Sequence, residues 1–217
     1  MKRITLTFDN GPHLSGTPHI LETLAARSLK ATFCLVGERL REPALRALAA
    51  RAKAEGHRIA NHTMTHGAPL GRRSGASVPE EEIGAAQAML GDLAERRLFR
   101  PNGDEGLLSE FVLSEAAVDY LALHRYTVII WNCVPRDSAL PADSWVARAL
   151  DTIHSQPWTL LVLHDHCTEA SQHLGPFLDG LIAEGYEFSQ EFPEDTVLMR
   201  DGVRTAALRG LVAPAPH

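Results

Sequence analysis

Seven short β-like runs, each separated from the next by a longer helical stretch, set the tightest limit on what this chain can fold into. The runs cover residues 4–8, 31–36, 58–61, 97–100, 127–133, 159–164 and 187–190. The spacers are too long for hairpins and carry helical periodicity, so the pattern predicts parallel strands joined by helical crossovers. The first spacer, 18–27, places Ile20, Leu21 and Leu24 on one helical face. The next, 43–54, opens with Pro43 and stops at Gly56. Ser77-Val78-Pro79-Glu80 reads as a capping box before an Ala-rich helix reaching about Arg96. Helices over 109–123, 143–153 and 169–184 complete the set, with Gly185 as the final stop. The pattern alone allows an open doubly wound sheet or a closed barrel.

A chain of 217 residues, 45% of them hydrophobic, can bury one sizeable core. We therefore expect one domain over residues 1–200 and a loose tail over 201–217, which ends in Ala213-Pro214-Ala215-Pro216-His217. The formal charge of −6 gives no basic footprint for nucleic acid. Lys2 and Arg3 precede the alternating run Ile4-Thr5-Leu6-Thr7-Phe8, which is a strand and not the apolar core of a signal peptide. No apolar stretch is long enough to span a bilayer. Cys34, Cys133 and Cys167 make an odd count that favours free thiols. The expectation is a cytoplasmic protein with no membrane partner.

Polar residues gather where these strands end, which is where parallel α/β folds assemble their sites. Asp9-Asn10-Gly11-Pro12 ends the first run, His62 and His66 follow the third, and Arg100-Pro101-Asn102-Gly103 ends the fourth. Asp137 lies just past the fifth, and His164-Asp165 ends the sixth. Two imidazoles four residues apart share a face if the segment turns helically, and so can reach one metal ion. Each group has an ordinary reading as turn, cap or surface charge; five strand ends together argue for a site. His13 and His19 flank the first group, and Cys133 is a strand-end thiol.

These residues resemble the motifs of the polysaccharide deacetylases, the NodB-homology group of carbohydrate esterases. Thr7-Phe8-Asp9-Asn10-Gly11-Pro12 is similar to the first motif and His62-Thr63-Met64-Thr65-His66 to the second. Arg100-Pro101-Asn102-Gly103 resembles a shortened third, Trp131-Asn132 with Asp137 the fourth, and Leu161-Val162-Leu163-His164-Asp165 the fifth. The resemblance implies a distorted (β/α) barrel with about seven parallel strands and hydrolysis of an N-acyl, notably N-acetyl, amide. It implies a divalent metal, zinc first, with cobalt, manganese or nickel as alternatives. Carried across, Asp9 is the general base, Arg100 holds it, His164 is the general acid and Asp137 orients the acid. Asn10, His62 and His66 are the metal ligands.

Two departures stand out. Asn10 replaces the usual Asp, so the site keeps the full dication charge; this weakens metal binding and acidifies bound water further. Only Asn102 lies between Arg100-Pro101 and Gly103, where the family has bulkier residues. Rival readings are a metal-independent hydrolase of cyclic imides or ureides on the same scaffold, and a non-catalytic binding barrel. The expected substrate is a small soluble N-acyl compound or carbohydrate, with the 67–77 loop and its Arg72 and Arg73 closing over it. The sequence does not speak to oligomeric state.

Overall fold

The computed structural model describes residues 2–94, 97–104, 106–141 and 144–214. The seven expected strands are all present: β1 (Arg3–Gly11), β2 (Thr32–Leu35), β3 (Arg58–Asn61), β4 (Leu98–Phe99), β5 (Thr127–Ile129), β6 (Trp158–His164) and β7 (Glu187–Phe188). Each pairs in parallel with its neighbours among these seven. The order β6-β1-β2-β3-β4-β5 curls into a distorted barrel, and the parallel bridge Cys133↔Leu161 draws the chain after β5 back to β6. β1 shows why its sequence alternates. Ile4, Leu6 and Phe8 pack with Ile20, Leu21 and Leu24 of helix α1 (Gly16–Ala25), leaving Thr5, Thr7 and Asp9 on the opposite face.

The structure adds a pair of strands. β8 (Val197–Arg200) runs antiparallel to β5, and β9 (Val203–Arg204) antiparallel to β8. Asp201 and Gly202 form the tight turn between them with φ of 49° and 85°. Asp-Gly is a strong two-residue hairpin signal. The segment after Asp201 is therefore not loose, contrary to the sequence expectation. Leu208 is buried, Val212 bridges Leu113, and Ala213 N–H donates to the Leu113 carbonyl at 2.8 Å. The expected end of the tail, Ala215 to His217, lies outside the described residues, as do Arg96 and Asp143 at two expected helix ends.

Helix α2 (Pro43–Ala54) matches its prediction in both bounds. The Ala-rich helix does not run unbroken: a π-helical turn, Glu80–Gly84, leads into α3 (Ala85–Leu90). Glu80 does not close a capping box on Ser77, because its carboxylate takes the Tyr120 hydroxyl at 2.8 Å. Helix α4 (Glu115–Leu123) starts later than expected, capped by Ser114 Oγ accepting from Ala117 N–H. Val112 and Leu113, ahead of it, are buried instead against the C-terminal segment. Helix α5 (Ser144–Ser155) follows, and the last predicted helix is split into α6 (Thr168–Ser171) and α7 (Leu174–Ala183). No helix among the described residues is long and apolar enough to cross a membrane.

Candidate active site

The carboxyl ends of the strands open into a cavity of about 350 Å³ whose lining includes Asp9, Asn10, His62, His66 and His164. β1 and β6 are adjacent and in register, so Asp9 and His164 are lateral neighbours at one end of the sheet. A bulge lies between Asp9 and Gly11, and Asn10 within it has φ of 71°. Bulges re-aim side chains, and Asn tolerates this left-handed conformation better than most residues. Gly11 is required by close approach. A Cβ there would sit 2.1 Å from the carboxylate of Asp165, which accepts the Thr17 hydroxyl at 2.5 Å. Burial pushes the Asp165 carboxyl up to about 6.

Arg100 follows β4 and is fully buried. Its Nη1 donates to both Asp9 oxygens at 3.3 and 3.2 Å, and its guanidinium lies over the Trp131 ring at 5.5 Å. Burial alone would raise the Asp9 pKa, but Arg100, with His62 and His164, holds the carboxyl below its ordinary range. Across the cavity, His164 Nδ1 meets Asp137 Oδ1 at 2.8 Å, and Asp137 Oδ2 accepts the His164 backbone N–H at 2.8 Å. Burial lowers the His164 pKa; Asp137 outweighs that and raises it above an ordinary imidazole. The structure thus sets a carboxylate with a lowered pKa beside an imidazole with a raised one.

His62 and His66 reach the same cavity without a helical turn. Thr63 and His66 take positive φ, 65° and 51°, so the segment is an irregular turn. The two rings end with centroids 4.8 Å apart. His62 Nδ1 donates to the Arg100 carbonyl at 2.8 Å, which leaves Nε2 as the free lone pair, 3.7 Å from Asp9 Oδ2. Burial pushes His62 down to about 4, so the ring is neutral, the form a metal requires. His66 is lowered as well, first by burial.

The donor set fits a divalent cation. Asn10 Oδ1 is buried without a hydrogen-bond partner, an acceptor whose lone pairs have no use in the protein alone. Among the described residues, no three His, Cys, Asp or Glu side chains are arranged to hold a metal. The side chain available as a third donor beside the two imidazoles is the Asn10 amide oxygen.

Two residues that sequence reasoning did not single out hold this turn. Asn61 Oδ1 accepts the Thr63 N–H at 3.0 Å, and its amide donates to the Ile83 carbonyl at 2.9 Å. Glu82 is buried and accepts from Met64 N–H at 3.1 Å, Thr65 N–H at 3.0 Å and the Thr65 hydroxyl at 2.7 Å. Arg73 pairs with the same carboxylate. Glu82 stands third in a Glu-Glu-Glu run that reads as ordinary charge at a helix start, so no local signal marks it.

The 67–77 loop departs from expectation. Arg72 pairs with Asp104 at 2.6 Å, and a Cβ on Gly71 would meet the Phe111 backbone, so the 67–77 loop is pinned down with both arginines engaged. His13 accepts from Gly16 N–H and His19 contacts the Ser171 carbonyl; neither lines the cavity. Trp131 does line it, whereas Trp145 packs against Phe177 in the core. Cys133 is buried in the bridge to β6, its thiol pushed up to about 11 by burial. Glycine at the end of the third motif has a steric basis. A Cβ on Gly103 would fall 2.8 Å from the Leu107 carbonyl and from the Trp131 ring.

Comparison with known proteins agrees with this fold. Residues 1–116 match the sequence model described as polysaccharide deacetylase. A chitooligosaccharide deacetylase of Bradyrhizobium sp. (strain ANU 289) is 32% identical over 180 residues, covering 78% of this chain and 77% of its own. The crystal structure of the peptidoglycan N-acetylglucosamine deacetylase Bc1960 superimposes with a TM-score of 0.70 at 27% identity, over 86% of this chain and 85% of that one. A family 4 acetyl xylan esterase from Clostridium thermocellum, solved with a cobalt ion, shares the fold with a TM-score of 0.71 at 23% identity, over 87% of each chain.

Proposed function

The chain belongs to the polysaccharide deacetylase family, hydrolases of C–N bonds other than peptide bonds, and from that premise we propose that it removes the acetyl group from N-acetylglucosamine units of a short oligosaccharide. One observation carries the reading. Asp9, held by buried Arg100, and His164, held by buried Asp137, line the same cavity as His62, His66 and Asn10. Those three residues would hold the divalent ion on which the family depends, with zinc suited to two imidazoles and an amide oxygen. Bound there, the ion acidifies a water molecule and polarises the acyl carbonyl.

The chain's own residues supply the rest. Asp9, kept ionised by Arg100, takes the proton of the attacking water. His164, kept protonated by Asp137, gives its proton to the departing amine. Trp131, Val134 and Val162 form an apolar wall suited to the acetyl methyl group. The cavity accommodates one sugar-sized unit while its open mouth leaves room for the chain beyond. The sequence had suggested a small soluble compound instead. The pinned 67–77 loop removes one support for that, and the relatives' names point to oligomeric sugars.

The test is acetate release from chitin oligomers, peptidoglycan fragments, free N-acetylglucosamine and cyclic imides, with and without added zinc. Metal-dependent acetate release, greater on oligomers than on the free sugar, is expected. Turnover of cyclic imides without metal, and none of the N-acetyl sugars, would overturn the proposal.

A further inference from the structure

At the opposite pole of the strands lies a second cavity, larger at about 630 Å³. Its frame is built where strands start: Arg58 opens β3, Arg97 precedes β4 and Arg125 precedes β5, while Arg200 closes antiparallel β8 at the same end. Four arginines thus line one hollow, together with Glu191 and Asp201. This is a local positive excess in a chain whose formal charge is −6. Two of the four are engaged, Arg58 with Glu191 at 2.5 Å and Arg200 with Glu194 at 2.8 Å. Arg97 lies over the Tyr126 ring at 5.5 Å, and neither it nor Arg125 has a carboxylate partner among the described residues.

An independent feature of the same cavity points to a ligand. His57 lines it and is 5% exposed. Ala31 N–H donates to His57 Nδ1 at 3.1 Å, so the neutral ring carries its proton on Nε2. Burial pushes the His57 pKa down to about 4, so the ring is neutral at pH 7. The Nε2 atom is buried and has no acceptor. A buried donor left unpaired is unfavourable, and an oxygen arriving from the cavity would satisfy it. Around these polar groups the lining is apolar: Ile59, Leu93, Leu98 and Phe192.

We propose that this cavity binds a phosphorylated small molecule, with its phosphoryl group between Arg97 and Arg125 and its body on the apolar floor beside His57. The charge argument selects the phosphoryl group. Two guanidiniums without a carboxylate partner among the described residues complement a dianion, and a phosphomonoester carries about −1.5 to −2 at pH 7. The planar guanidinium fork also matches phosphate oxygens in bidentate fashion. The volume falls in the ordinary range for small-ligand sites. Occupation leaves the catalytic cavity open, because β3 runs from Arg58 at this pole to Asn61, beside His62, at the other.

Nucleotides and sugar phosphates share this chemistry, and the experiment separates them. Full-length protein, as purified and after chelator treatment, is titrated calorimetrically at low salt with AMP, glucose 6-phosphate and inorganic phosphate. Adenosine, glucose and sulfate serve as controls. Saturable one-site binding of a phosphomonoester is expected, surviving chelation and exceeding that of sulfate; the tighter of the two esters identifies the body. Arg97→Gln and Arg125→Gln should each weaken binding about tenfold and leave the deacetylation rate unchanged. Both side chains are exposed, so the variants should fold. Hydrogen exchange on the unmodified protein locates the ligand without any variant, with protection expected at 97–98 and 125–127. No saturable binding, binding lost on chelation, binding matched by sulfate, or protection at 62–66 instead would each overturn the assignment.

Discussion

Glu82 supports the two histidines without touching the cavity, and replacing it should loosen the metal site. Its carboxylate is 3% exposed and is the acceptor for two backbone N–H groups, Met64 and Thr65. In Glu82→Ala the buried Met64 N–H is left unpaired, at about 1–3 kcal/mol, whereas Thr65 is exposed and its N–H can turn to water. The partner charge adds little, because Arg73 is 28% exposed and can rehydrate. Since Thr63 and His66 already sit at positive φ, a turn released from Glu82 should relax and part the two rings. Support of this kind is typically worth about 10–100-fold in metal affinity. Glu82→Gln, which keeps one acceptor oxygen, should fall between the variant and wild type. Urea unfolding measures the first effect, and competition with a chromophoric chelator the second. The stability loss should also depend on pH. Burial raises the Glu82 pKa, but Arg73 and the Thr65 hydrogen bonds outweigh it and the net shift is downward. A depressed carboxyl stabilises the fold above its unfolded value, about 4.3, and that stabilisation is lost as pH falls through the folded pKa. The difference between variant and wild type should therefore shrink in acid. Metal affinity in Glu82→Ala indistinguishable from wild type would refute the positioning role.

Asp9→Asn and His164→Ala should each lower kcat by about 10²–10⁴-fold with metal content retained, and a rate near wild type in either removes that residue from proton transfer. Asn10→Asp adds an anionic donor where a buried amide oxygen now has no partner, so metal should bind more tightly in the same chelator competition; unchanged affinity would place Asn10 outside the ligand set. Asp137→Ala removes the group that raises the His164 pKa against burial, so the acid form is lost at lower pH. The alkaline limb of kcat/KM should then move downward relative to wild type, and an unmoved limb would mean that Asp137 does not govern the acid.

The seven parallel strands were legible in the sequence because each reports its own burial locally, as in the Ile4, Leu6, Phe8 alternation of β1. The positions of Asp9, His62, Arg100 and His164 were legible for a related reason: each follows or ends a strand, and strand ends gather at one pole in a parallel sheet. β8 and β9 were missed although Asp201-Gly202 carried a hairpin signal, because the strands on either side are only four and two residues long. What local pattern cannot encode is contact between distant segments. The bridge Cys133↔Leu161 that curls the sheet, and the anchoring of Val212 on Leu113, depend on register across long stretches of chain. At 62–66 the spacing of the two histidines is silent on backbone conformation; Asn61 and Glu82 decide it from β3 and from a π-helical turn. Strand-end position therefore singled out candidate side chains, and the family resemblance gave them roles. Only tertiary structure decided which carboxylate holds which loop, because hydrogen bonds to buried backbone groups form between whichever segments the fold brings within about 3 Å.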